Sequence, residues 1–164
     1  MAGRTPATSS EAAVDITLDQ RLCLALYTAS RAMTARYRVA LGELGLTYPQ
    51  YLVMVLLWEE ENCSVGSIGH RLSLDSSTLS PLLKRLQAMD LVTRTRAVTD
   101  ERLMIIGLTD RGRQMQQEAA QVTVDICEAT GISVAEQLEL VGRLRELTVQ
   151  LDASTARVAA AARP

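Results

Sequence analysis

Three cysteines, Cys23, Cys63 and Cys127, are the reactive groups of this 164-residue chain. An odd number at such wide spacing fits neither a disulfide framework nor a zinc cluster, so a working thiol here acts through its own reactivity. Cys23 sits on the first expected helix beside Leu22 and Leu26, and one reading makes it a small buried hydrophobe. The aromatic composition supports another: the chain has four tyrosines and no phenylalanine. A ring needed only for bulk could be Phe. A phenolic O–H aimed at sulfur favours thiolate over thiol, and the thiolate is the form that attacks a peroxide oxygen. Tyr27, Tyr37 and Tyr48 are the candidate donors, and Cys23 also feels some of the positive end of a helix capped at Thr17.

Tyr27 is one helical turn from Cys23 and can approach it within the same helix. Tyr37 is fourteen residues on, roughly 21 Å along a straight helix, so a Tyr37 that meets a Cys23 must meet the one in a second copy of the chain. Cys127 falls near the end of a later helix, where spacing alone does not relate it to Cys23. Cys63, between Glu61-Asn62 and Ser64, reads as structural, and His70, the single histidine, as a surface residue. No nucleotide-binding loop, paired carboxylates or metal-ligand cluster stands out, so an enzyme, a cofactor and a metal are not expected. A thiol peroxidase remains an alternative, distinguished by sustained turnover with a reducing partner.

The net charge is −2, from 17 basic and 19 acidic residues. Residues 67 to 113 nevertheless hold eight basic side chains against five acidic, or +3, which leaves −5 on the rest. A positive segment in an acidic chain is the asymmetry expected when one face meets phosphate. The longest apolar run, Tyr51 to Trp58, is far below the roughly 18 residues of a membrane span. The first residues contain no apolar stretch like that of a signal peptide, so no membrane association and a cytoplasmic location are expected.

The elements that must position these groups are mostly helical. Capping boxes at Thr17/Gln20, Thr47/Gln50 and Ser133/Glu136 announce helix starts. A long helix is expected over 18–43, followed by an all-round apolar helix at the buried centre. A short helix from Ser64 to Leu72 precedes one capped within 75–78 and running to about Met89, the pair forming a helix-turn-helix. Two β-prone stretches, 91–96 and 103–108, make a hairpin with a basic tip around Val98-Thr99-Asp100-Glu101. Helices then run from Thr109 to about Ala129 and from Ser133 to about Leu151. The expected class is mainly α with a small β-hairpin wing, a winged helix-turn-helix: one helix fits the major groove and the wing's Arg94, Arg96 and Arg102 reach adjacent phosphates or base edges. Arginines on a merely solvated hairpin are the plainer reading.

The stretch DERLMIIGLTDRG at 100–112 resembles the wing signature of MarR-family transcriptional regulators. LTYPQYLVMVLLW and LDSSTLSPLLKRLQAMDLVTRTR are similar to the organic hydroperoxide resistance regulator branch of that family, and the likeness spans about 18–151. It implies that Asp100 orients Arg102 at the wing tip and that Ser76, Ser77, Thr78, Ser80, Lys84 and Arg85 belong to the recognition helix. It also implies a homodimer through the N- and C-terminal helices, reading half-sites about 34 Å apart on an inverted-repeat double-stranded DNA operator. Tyr37 and Tyr48 of one subunit would bond Cys23 of the other. In the two-cysteine subgroup, Cys127 would resolve an oxidised Cys23 as an intersubunit disulfide, with an organic hydroperoxide as inducer. The implied layout is a tail at 1–16, a single domain at 17–152 and a tail at 153–164. Within the domain, 48–109 would be the DNA-binding lobe and 17–47 and 110–152 the dimerisation helices. A MarR-type repressor answering to a small aromatic ligand, with Cys23 inert, is the second reading.

Overall fold

The computed structural model describes residues 16–97, 100 and 102–162, so Val98, Thr99 and Glu101 at the expected wing tip, and residues 1–15 of the expected tail, lie outside them. The chain divides into a unit up to Ala35 and a unit from Arg36 onward.

In the first unit, Thr17 opens a single 3₁₀ turn, Leu18–Gln20, and its N–H donates to Gln20 Oε1 at 3.0 Å. The backbone becomes extended at Arg21, whose carbonyl then accepts from the N–H groups of Leu24 and Ala25 and starts α1 (Leu22–Ala40). The helix expected over 18–43 is thus shorter at both ends. At the front, i→i+3 bonds close a separate turn. At the back, Gly42 and Gly45 follow, and Gly45 takes a left-handed φ of 65°. No residue of α1 is buried; Leu22, Tyr27, Met33 and Val39 are exposed.

In the second unit, α2 (Tyr48–Glu60) starts where the Thr47 N–H donates to Gln50 Oε1 at 2.8 Å, with Pro49 in its first turn. Its apolar residues point in every direction, and it buries Tyr51, Val53, Met54, Leu56 and Leu57 against Ile68, Leu79, Leu83, Leu86, Leu91 and Ile106. This is the expected centre of the core. β1 (Asn62–Ser64), α3 (Val65–Leu72), α4 (Ser76–Ala88), β2 (Val92–Arg96) and β3 (Met104–Leu108) follow. The sheet is antiparallel in the order β1-β3-β2, so the expected hairpin carries a third strand. β1 is three residues long and buries only Cys63, which pairs with Ile106; it is too short to show an alternating pattern.

Between α3 and α4 the chain turns through Ser73, in the left-handed region, and the Leu74 N–H donates to the Gly69 carbonyl at 2.9 Å. A Cβ at Gly69 would lie 2.9 Å from the Leu74 carbonyl oxygen, so the turn closes this tightly only over glycine. α5 (Asp110–Thr130) is capped by Thr109, whose hydroxyl accepts from the Gly112 N–H at 2.9 Å and donates to the Asp90 carbonyl at 2.6 Å. α6 (Val134–Ala161) opens on the Ser133/Glu136 box. It runs ten residues past the expected end at Leu151, because alanine, abundant there, is the strongest helix former. Like α1 it buries none of its residues, and Val134, Leu138, Val141 and Val149 are exposed along it. Among the described residues no helix is long and apolar enough to cross a membrane.

Candidate functional site

α4 presents two faces. Leu79, Leu82, Leu83 and Leu86 are buried, whereas Ser76, Ser77, Thr78, Ser80, Lys84 and Arg85 are all exposed, as a helix that enters a groove requires. Asp75 fixes its start: Oδ1 accepts from the Thr78 N–H at 2.7 Å and from the Ser77 hydroxyl at 2.6 Å. These bonds hold the Asp75 carboxyl below the ordinary carboxylate range. The Ser77 hydroxyl is therefore engaged in the cap while its neighbours face outward.

The wing arginines are not equivalent. Arg96, opposite Met104, and Arg102 are exposed. Arg94 shares one face of β2 with buried Val92, is half-buried, and its Nε has no hydrogen-bond partner among the described residues. Asp100 meets Arg102 through the backbone: Oδ1 accepts the Arg102 N–H at 2.9 Å, and the Asp100 carbonyl accepts from the Leu103 N–H at 2.9 Å.

Cys23 is an exposed free thiol in the first unit. The Tyr27 hydroxyl accepts from Arg31 at 3.2 Å, and the Arg31 guanidinium lies 5.6 Å from its ring centroid. Tyr27 makes no hydrogen bond to Cys23 in the single chain. In the second unit Tyr37, near the end of α1, stacks on Tyr48 in the first turn of α2, with centroids 4.2 Å apart. Tyr51 packs against Tyr37 at 5.6 Å. Burial pushes the Tyr37 phenol up to about 12, aided by Tyr48, Tyr51 and Cys127; burial and Tyr51 push Tyr48 up as well. Both phenols therefore stay protonated, and so remain donors, at any physiological pH.

Cys127 is half-buried near the end of α5. Its thiol donates to Gln137 Oε1 on α6 at 3.6 Å, and Gln137 Nε2 donates to the Thr130 hydroxyl at 2.8 Å. Cys127 is the smallest of the influences that raise the Tyr37 phenol, a relation that spacing in the sequence does not show.

Cys63 is different. It is buried, its thiol donates to Glu60 Oε2 at 3.2 Å, and Glu60 pairs with Arg71. Burial, then the bond to Glu60 and its charge, push the thiol up to about 11 against the opposing pull of Arg71. A thiol held protonated in this way is a poor nucleophile. His70 is exposed, as expected. Tyr51 and Thr123, which are not among the site residues expected from the sequence, have hydroxyls hydrogen-bonded to each other at 3.2 Å. The lack of phenylalanine would have flagged Tyr51 as surely as the other three tyrosines.

The transcriptional regulator SarA/Rot family matches residues 36–119. The chain is 45% identical over 136 residues to the HTH-type transcriptional regulator TtmR of Methylorubrum extorquens, covering 83% of this chain and 70% of that one. It is also 45% identical over 105 residues to the organic hydroperoxide resistance transcriptional regulator of Bacillus subtilis, covering 64% and 71%. Among solved structures, AbfR of Staphylococcus epidermidis superposes with a TM-score of 0.69 at 38% identity, covering 84% of this chain and 94% of that one. Reduced AbfR bound to DNA gives 0.67 at 40% identity, covering 82% and 94%, and disulfide-formed AbfR 0.57 at 41%, covering 80% and 92%.

Proposed function

Because this chain belongs to the SarA/Rot-type, MarR-like winged-helix transcriptional regulators, we propose that it is a cytoplasmic, homodimeric repressor that releases its operator when an organic hydroperoxide oxidises Cys23. α1 and α6 carry exposed apolar residues and bury none of their own, which suits a dimer interface built from both. In that dimer two α4 helices enter successive major grooves, with Ser76, Thr78, Ser80, Lys84 and Arg85 facing DNA, while Arg96 and Arg102 reach phosphates from the wing.

The observation that carries the reading is the pair of stacked phenols, Tyr37 and Tyr48, both protonated at physiological pH. Two such donors can seat the thiolate of Cys23 from the partner subunit. That thiolate attacks the hydroperoxide's terminal oxygen; the O–O bond breaks, an alcohol leaves, and Cys23 becomes a sulfenic acid. The Cys127 thiol then attacks this sulfur, expelling water and forming a disulfide. The bond requires alpha carbons within about 7 Å, so chains that start farther apart must shift and carry the α4 helices out of register. The Bacillus subtilis relative's name and the disulfide-formed AbfR structure support the same chemistry.

The test treats the reduced, DNA-bound protein with an alkyl hydroperoxide. Release by the unaltered chain, abolished by Cys23→Ser, supports the reading. Equal release by both rules out Cys23 as the sensor, and failure of the unaltered chain to release rules out peroxide sensing.

A further inference from the structure

Tyr51 is almost fully buried, with 5% of its surface exposed. Its ring packs against Tyr37 on one side and Trp58, at 6.2 Å, on the other. Phenylalanine would fill that space equally well. What the hydroxyl adds is a link across the fold: it is hydrogen-bonded to Thr123 Oγ1 at 3.2 Å, joining α2 to α5. Each end of this link lies one helical turn from a group the sensing chemistry uses. On α2, Tyr48 is three residues before Tyr51; on α5, Cys127 is four residues after Thr123, and both spacings keep residues on one helix face.

We propose that the Tyr51–Thr123 hydrogen bond is a positioning strut that decides the fate of oxidised Cys23, by holding Cys127 at a fixed distance from the Tyr37–Tyr48 pair. The inference rests on the function proposed above. A sulfenic acid seated on the phenols has two routes. The Cys127 thiol displaces water from it and forms the disulfide, or a second hydroperoxide transfers an oxygen to it, leaving an alcohol and an irreversibly oxidised sulfinic acid. The first route depends on how often Cys127 reaches bonding geometry. The second depends only on peroxide concentration and access. With the strut cut, α2 and α5 sample a wider range of separations, capture slows and overoxidation gains. The switch then loses its reversibility while still detecting peroxide.

The experiment exposes reduced full-length protein to cumene hydroperoxide and quantifies, by mass spectrometry without reduction, the ratio of Cys23 sulfinic acid to Cys23–Cys127 disulfide. Tyr51→Phe and Thr123→Val are each expected to raise that ratio about fivefold, the factor that corresponds to one net hydrogen bond. The double variant should go no further, since both substitutions cut the same bond. Thr123→Ser, which keeps the hydroxyl, should retain the ratio of the unaltered chain. The rate at which the Cys23 thiol first disappears should be the same in all four, which a general loosening of the core would not produce. If Tyr51→Phe fails to fold, the Thr123→Val and Thr123→Ser pair decides. An unchanged ratio in Thr123→Val, with Cys23 still oxidised and joined to Cys127, overturns the strut and leaves the proposed function intact. Failure of the unaltered chain to oxidise at Cys23 overturns both.

Discussion

Tyr37 and Tyr48 stack at 22° between ring planes, joining the last turns of α1 to the first turn of α2. Stacking needs the rings, whereas a thiolate seat needs the hydroxyls, so the two roles separate experimentally. Tyr37→Phe should leave the fold unchanged and slow the reaction of Cys23 with an alkyl hydroperoxide by roughly tenfold or more, a hydrogen bond to a charged group being worth about 1.5–3 kcal/mol. Stopped-flow measurement of thiol loss reads this directly. An unaltered rate would remove Tyr37 from the seat.

Alkaline pH should weaken the fold in a defined window. The Cys63 thiol is raised from 9.0 to about 11 and the Tyr37 phenol from 10.0 to about 12, burial being the largest cause in both. Below pH 9 both groups are neutral in the native and unfolded chains, and their contribution to stability is fully present. Above it the unfolded chain ionises first, so stability falls as pH rises, through about 11 for Cys63 and about 12 for Tyr37. Urea midpoints measured from pH 8 to pH 12 should decline across that range; a flat profile contradicts the assignment.

The three thiols should differ in reactivity by their surroundings. Iodoacetamide at neutral pH should label Cys23, whose site must admit a hydroperoxide, in the native protein and reach Cys63 only after unfolding, because Cys63 is both buried and protonated. Peptide mapping after timed alkylation distinguishes them. Native-state labelling of Cys63 at the rate of Cys23 would contradict its burial.

Gly112 lies against the Leu91 carbonyl so closely that a Cβ there would overlap it, and its own carbonyl accepts the Trp58 indole N–H at 2.9 Å. Gly112→Ala should therefore destabilise by about 1–3 kcal/mol, although alanine is the better helix former. Thermal unfolding checks the sign, and a stabilised variant would show the contact to be looser than described.

The wing should separate two arginines that composition makes look alike. Arg102→Ala should weaken binding to operator and unrelated DNA alike and lower the salt slope by about one, as expected for one phosphate contact. Arg94→Ala, at a half-buried position on the core side of β2, should shift stability more than the salt slope. Binding isotherms at several salt concentrations, with melting curves alongside, test both.

What could be read along the chain was local. Capping boxes join residues three apart, the apolar stripe of α4 repeats every three or four, α2 is apolar all round, and the wing strands are runs of β-prone residues about a polar turn, so most helix starts, the helix-turn-helix and the hairpin were legible as patterns. The candidate cysteines and tyrosines were legible as residue types that chemistry requires. Contacts between distant residues were not. β1 exists because β3 offers it a partner, Gly112 matters because Leu91 comes to meet it, and Arg94 turns inward because β2 lies over the core. Tyr51 finds Thr123 seventy-two positions away. Nothing in either residue's neighbours encodes that meeting, because it arises only when burial of α2's apolar surface brings α5 alongside.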